Sequence, residues 1–170
     1  MKAILIAACT LAVLAAAPPA AARSRGGQFQ QDVEKLVRDH PQFTIFDDVD
    51  VRVEEGAVIL GGKVTTPGKR KDIERRVARI DGVREVRNQI AVLPSLPADD
   101  ELRRRVARAI YGSPSFWSYA ALPRPPIHII VERGHVTLRG TVNTHADRTM
   151  ARSLATGLGE SGVINELIVR

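Results

Sequence analysis

The residues of this sequence that could do chemistry are four histidines, adjacent carboxylates such as Asp47-Asp48 and Asp99-Asp100, and one glycine-rich run. A metal site needs ligands that converge from fixed spacings, such as i and i+4 on one helix. His40, His128, His135 and His145 show no such spacing, which leaves them as surface residues. The run "GLGESG", residues 157–162, satisfies G-x-G-x-x-G. A dinucleotide loop, however, follows a strand and opens a helix, whereas this run follows a helical pattern and precedes a strand pattern. Its glycines read as a helix stop, with Gly157 or Gly159 at the first position past the helix. Asp47-Asp48 and Asp99-Asp100 fall in loop or cap positions, where Asp99 and Asp100 would cap the following helix and complement its dipole. No serine lies in a nucleophile elbow. The expectation is a protein without catalytic residues, metal or cofactor.

A different kind of cluster occupies "DDELRRRVARAIYGSPSFWSYAALPRPP", residues 99–126. Leu102, Val106, Ala109 and Ile110 share one side of a helix and face a core, Arg104 and Arg108 point outward, and Arg103 and Arg105 flank the stripe. Phe116, Trp117 and Tyr119 follow among prolines and a glycine. Guanidinium groups beside amphipathic rings suit the headgroup layer of an anionic membrane, each basic group near such a surface being worth about 1 kcal/mol. These seven residues, Arg103, Arg104, Arg105, Arg108, Phe116, Trp117 and Tyr119, are the candidate membrane-binding set. A competing reading makes Asp100–Arg104 and Glu101–Arg105 ordinary i,i+4 pairs on a solvated face and buries the aromatics between two small cores. A second basic run, Lys69-Arg70-Lys71 with Arg75, Arg76 and Arg79, is interleaved with Asp72 and Glu74 and reads as a solvated helix surface.

Positioning these residues requires elements, and the sequence writes them twice. Residues 53–64, "VEEGAVILGGKV", return as residues 131–142, "VERGHVTLRGTV", identical at seven of twelve positions. Val49, Val51 and Val53, like Ile127, Ile129 and Val131, alternate with other residues, which predicts strands with one buried and one wet face. Gly56 and Gly134 supply hairpin turns. Gly62 and Gly140 come late in the second strand, where a missing Cβ permits a bulge or close backbone packing. Thr66-Pro67 and Thr144 then start helices, with apolar stripes Ile73-Val77-Ile80 and Ala146-Met150-Leu154. "GVREVRNQIAV" and "GESGVINELIV" close each unit with a third strand, set parallel to the second by a right-handed crossover. Each unit also opens with a helix, around residues 33–37 and 102–110. The predicted fold is α+β: two αββαβ domains in tandem, each a small three-stranded mixed sheet packed by two helices.

Boundaries follow from composition. Residues 1–22 hold one Lys, an apolar run and the small triplet at 20–22, the pattern of a cleaved secretory signal. The run is shorter than the roughly 20 apolar residues that a membrane span needs. A lipid anchor on Cys9, the sole cysteine, would leave too short an apolar core for a typical signal. Without Cys9 the exported chain would hold no thiol or disulfide and rely on packing. The first domain spans residues 28–93, and 94–99, with two prolines, form a stiff linker. The second spans 100–170 and carries an inserted aromatic and Pro-rich loop, 111–126. The formal net charge of +6 falls by one when Lys2 is removed. Outside the cytoplasm such a chain favours anionic lipid headgroups as partners rather than nucleic acid. The sequence specifies no oligomeric state.

The pattern V-x-V-x-x-G-x-V-x-L-x-G-x-V, then a helix, then G-V-x-x-V-x-N-x-I-x-V, resembles the BON domain. Two copies behind a signal segment resemble the osmotically inducible periplasmic BON proteins of Gram-negative bacteria. In the first copy Val51, Val53, Gly56, Val58, Leu60, Gly62, Val64, Gly82, Val83, Val86, Asn88, Ile90 and Val92 carry the resemblance. The second departs at Glu160, which replaces a valine, and at the insertion 111–126. The resemblance implies an αββαβ fold, no catalysis, and attachment to envelope phospholipid or other envelope proteins. It implies no contact residues, because the shared motif is nearly all turn glycine and core aliphatic. The functional expectation is a non-enzymatic periplasmic protein that binds anionic phospholipid and supports envelope integrity under stress. The alternative is a module that docks other envelope proteins through an edge strand or the aromatic loop.

Overall fold

A computed structural model describes residues 20–54, 56–158 and 162–170. Cys9 and most of the expected signal segment lie outside the described residues. In the first domain β1 (Asp48–Glu54) and β2 (Ala57–Val64) form an antiparallel hairpin whose apolar positions Val51, Val58, Leu60 and Val64 are buried. The helices α1 (Ala20–Arg38) and α2 (Pro67–Val77) contribute Val33, Val37, Ile73 and Val77 to the same core. Thr66 caps α2 by accepting from Lys69 N, with Pro67 just inside the helix.

The second domain repeats this plan with α3 (Pro97–Tyr111), β5 (Ile127–Glu132), β6 (His135–Val142) and α5 (His145–Thr156). Between α3 and β5 the insertion folds into a 3-10 turn, Pro114–Phe116, and one helical turn, α4 (Trp117–Ala120). Thr144 caps α5 as Thr66 caps α2.

Several details differ from the sequence expectation. The third strand of each sheet is broken into two, β3 (Glu85–Asn88) with β4 (Ala91–Val92), and β7 (Val163–Asn165) with β8 (Ile168–Val169), all parallel to the central strand. An asparagine makes the break: Asn88 Oδ1 accepts from Ile90 N at 3.1 Å and Asn165 Oδ1 from Leu167 N at 3.2 Å, turning Ile90 and Leu167 into the core. Pro97, placed in the linker above, is the first residue of α3, since a proline in the first helical turn removes an N–H that has no partner there. On α5 the buried residues are Ala151 and Ala155, while Met150 is 46% exposed, because two alanines let the helix lie close on the sheet. Gly62 and Gly140 do stand late in β2 and β6, as expected, at φ +95° and +107°. A Cβ would overlap Asp48 O at the first and Pro126 O at the second.

The two sheets remain separate, yet the faces expected to be wet meet through side chains. Arg139 of β6 pairs with Asp48 and with Asp50 (3.0 Å) of β1, and Lys63 of β2 pairs with Glu132 of β5. His128 donates from Nδ1 to Asp47 O at 2.6 Å and packs edge-on against Phe43. Ile129 N donates to Ile45 O at 2.7 Å, so the segment before β1 covers the outer edge of β5. Burial pushes the Asp48 carboxyl up, with Arg139 and His128 pulling the other way.

Candidate functional site

The stripe of α3 buries Leu102, Val106 and Ile110 on β5 and α5, which fixes where its arginines emerge. Arg104 and Arg108 point outward, and both bond Glu101, at 2.8 and 3.2 Å. Their hydrogen bonds, Arg104 first, hold the Glu101 carboxyl below the usual range. Arg105 is exposed and donates to Leu158 O at 3.3 Å. The pairs differ from the i,i+4 expectation: Asp100 bonds Arg103 and Glu101 bonds Arg104, both at i,i+3.

Three members of the candidate set are not available to a surface. Arg103 is buried, with Nη2 donating to Val131 O at 2.7 Å and Nη1 paired to Asp100, so it ties α3 to the end of β5. Phe116 is fully buried among Val106, Ile110 and their neighbours. Tyr119 is buried against Phe116, with ring centroids 5.6 Å apart. Its hydroxyl donates to Asp147 Oδ2 and accepts from Asn143 N, both at 2.7 Å. A tyrosine that makes both bonds has no reason to face solvent. Trp117 is 63% exposed, and Leu122 on the same segment is 47% exposed. The aromatics therefore divide: Phe116 and Tyr119 fill the second domain's own core, and Trp117 stands out of it.

The other candidates have structural partners. His40 is buried rather than superficial, with Nε2 2.7 Å from Asp72 Oδ2 and Nδ1 accepting from Gln42 N. His128 bridges the domains as described, and His135 and His145 are exposed. Asp47 is fully buried: Oδ2 accepts from Lys69 Nζ at 2.6 Å and from Thr44, and Oδ1 accepts from Thr65 N at 2.8 Å. Burial pushes this carboxyl up, but the bonds from Lys69, Thr65 and Thr44 outweigh it and hold the group below the usual carboxylate range. Asp99 does not cap α3, where Leu96 holds the cap position without a side-chain bond. It accepts instead from Arg133 N and Gly134 N at 2.7 and 2.8 Å, gripping a hairpin turn in which both residues have positive φ. Gly157 caps α5 at φ −67°, not in the left-handed region, and Gly159 lies outside the described residues.

Chemically, this arrangement can present an indole and guanidinium groups to a surface. Among the described residues no three His, Cys, Asp or Glu side chains gather as metal ligands, and no described helix is long and apolar enough to cross a membrane. One groove escaped the sequence reading: about 430 Å³ between α5 and β7, lined by His145, Arg148, Thr149, Arg152, Val163 and Asn165. The signal for it lay in the repeat, because Arg152 stands where the first domain has Glu74.

The BON domain family model matches residues 27–94 and 98–170. An uncharacterized protein in the gshII 5′ region of Anaplasma centrale is 43% identical over 58 residues, a stretch covering 34% of this chain and 38% of that protein. Two solved structures of CdsD, a structural protein of the Type III secretion system of Chlamydia trachomatis, are similar at low scores. The C-terminal domain matches with TM-score 0.34 and 16% identity, over 85% of this chain and 66% of that one. The other matches with TM-score 0.30 and 14% identity, over 82% and 91%. The two family matches coincide with the two αββαβ units, in which glycines and aliphatics make the scaffold and no catalytic constellation appears among the described residues. This chain belongs to the BON domain family, a family of non-catalytic domains, and carries two such domains in tandem.

Proposed function

We propose that this chain is an exported, envelope-associated protein of the periplasm whose second domain rests on anionic phospholipid through Trp117, Leu122 and the outward arginines of α3. The observation that supports this reading is the exposure of Trp117 between two buried aromatics. Phe116 and Tyr119 pin the segment from below, so the indole is held outward at little entropic cost on binding. Indole rings favour the headgroup depth, and nearby cations are drawn to anionic lipid. Arg104, Arg105 and Arg108 against Glu101 leave this patch net positive. The test is co-sedimentation with phosphatidylglycerol vesicles and with phosphatidylcholine vesicles. Retention should rise with anionic lipid and fall with salt, and Arg104→Glu, which reverses a charge, should weaken it by about tenfold or more. Trp117→Ala should weaken it without loss of fold. Equal retention on neutral and anionic vesicles removes the reading.

A docking role for the last strand is favoured by one specific observation. Ile164 of β7 and Ile168 of β8 are 55% and 65% exposed on an outer strand, where the first domain has Arg87 and Ala91. A photo-cross-linker at Ile164 that captures an envelope protein independently of lipid would favour this alternative.

A further inference from the structure

The repeat supplies its own control for the groove between α5 and β7. In the first domain Asn88 Nδ2 donates to Arg70 O at 3.2 Å and to the Glu74 carboxylate at 2.8 Å. Arg70 in turn donates to Asn88 O. In the second domain Asn165 Nδ2 donates to Arg148 O at 2.9 Å, and Arg148 donates to Asn165 O at 3.4 Å, so the asparagine–arginine frame is the same. Glu74, however, is replaced by Arg152, and Pro67 by His145. The carboxylate that accepts from the asparagine amide in one domain has no counterpart in the other. Among the described residues no acid pairs with Arg148 or Arg152. Two arginines at i and i+4 repel one another on an otherwise ordinary helix, whereas the outward arginines of α3 share Glu101.

We infer that the groove is an anion site in which a phosphate group occupies the place that the Glu74 carboxylate fills in the first domain. Arg148 and Arg152 supply charge-assisted hydrogen bonds, the second amide hydrogen of Asn165 supplies a neutral one, and Thr149 and His145 line the mouth. The phosphate can belong to a soluble monoester or to a lipid headgroup. Trp117 is not among the residues lining the site, and the inference stands independently of the lipid reading above.

Backbone amide shifts of the full chain would be followed by NMR during titration with inorganic phosphate and with glycerol 3-phosphate. Saturable changes centred on Arg148, Arg152 and Asn165 are expected. Arg152→Glu installs the residue that the first domain already carries in this frame, so the fold should survive while apparent affinity falls by about tenfold or more, as loss of a charge-assisted bond implies. The reverse change, Glu74→Arg, should create a second set of shifts in the first domain. A Trp117→Ala chain offered phosphatidylglycerol vesicles separates the sources: residual retention abolished by Arg152→Glu assigns the site to a headgroup, and phosphate shifts without such retention assign it to a soluble ester. Shifts absent with both phosphates and no Arg152-dependent retention, or shifts unchanged in Arg152→Glu, would overturn the inference.

Discussion

In the first domain the amide of Thr65, just before α2, donates to the buried carboxylate of Asp47. In the second domain the equivalent amide, that of Asn143 before α5, donates to the hydroxyl of Tyr119. The partners are exchanged as well: Lys69 donates to Asp47, and Asp147, at the position matching Lys69, accepts from Tyr119. Both domains thus pin the start of the second helix to the segment that precedes the first strand. One does it with a buried ion pair, the other with a neutral hydroxyl brought in by the insertion. The insertion is therefore in the first place a structural part of the second core, and Trp117 is the residue it leaves outside. The difference also assigns each domain its own chemical weakness.

The largest expected effect comes from breaking the charged version. Asp47→Ala strands the ammonium of Lys69, whose side chain is only 9% exposed, and leaves Thr65 N without its acceptor. Removal of one partner of a buried pair costs about 3–5 kcal/mol, which denaturant unfolding should register as loss of the first domain. The pH dependence runs the same way. Folding lowers the Asp47 pKa, so this stability is complete above the ordinary carboxyl pKa of about 4 and drains away as pH falls through the folded value. Asp47→Asn should flatten that acid limb, and an unchanged limb would remove Asp47 as its cause.

Tyr119→Phe sharpens the comparison from the neutral side. It leaves Asn143 N without its partly buried acceptor, at a cost of about 1 kcal/mol, measurable as a lower midpoint for the second domain only. Burial pushes the Tyr119 hydroxyl up, and that of Tyr111 likewise. Stability from these groups is full below the ordinary tyrosine pKa of about 10 and is lost as pH rises beyond it. The first domain should fail first in acid and the second first in alkali. Coincident failure at both extremes would mean that the domains unfold as one unit and that the comparison has no thermodynamic content.

The smallest effect concerns the contact between domains. Arg139 is 31% exposed and joins Asp48, Asp50 and Glu166. Partly solvated pairs contribute about 1 kcal/mol or less. Arg139→Ala should thus leave each domain folded but widen the distance distribution between spin labels placed one on each domain. An unaltered distribution would show that the remaining contacts, the Lys63–Glu132 pair, the His128–Asp47 and Ile129–Ile45 hydrogen bonds and the packing of Ile45 and Phe46, hold the domains together without Arg139.

Much of the scaffold was legible because it depends on local rules. Val51, Val58 and Leu60 face the core as strand alternation requires, and Thr66 and Thr144 cap helices because a hydroxyl can reach an unpaired amide three residues on. The break in the third strand was not legible, since Asn88 and Asn165 fit an extended pattern until their side chains are seen to take the next amide but one. Arg103 and Arg104 are neighbours of one type on one helix, yet one is buried on Val131 O and the other solvated. A helical wheel gives their directions but not what stands opposite. For the same reason Phe116, Trp117 and Tyr119 could not be sorted into core and surface from order along the chain.

The sequence by itself determined the duplication, the hairpins, the glycines and the family, because periodicity, φ preferences and capping act within a few residues. Only the tertiary structure decided which aromatic is exposed, which carboxylates are buried and which arginines stand without an acid among the described residues. Those outcomes rest on desolvation and on partners brought together from distant positions, such as Asp48 with Arg139 and Tyr119 with Asp147. Burial of a polar group is settled by whether the fold returns the hydrogen bonds that water would have made, and no local pattern records that.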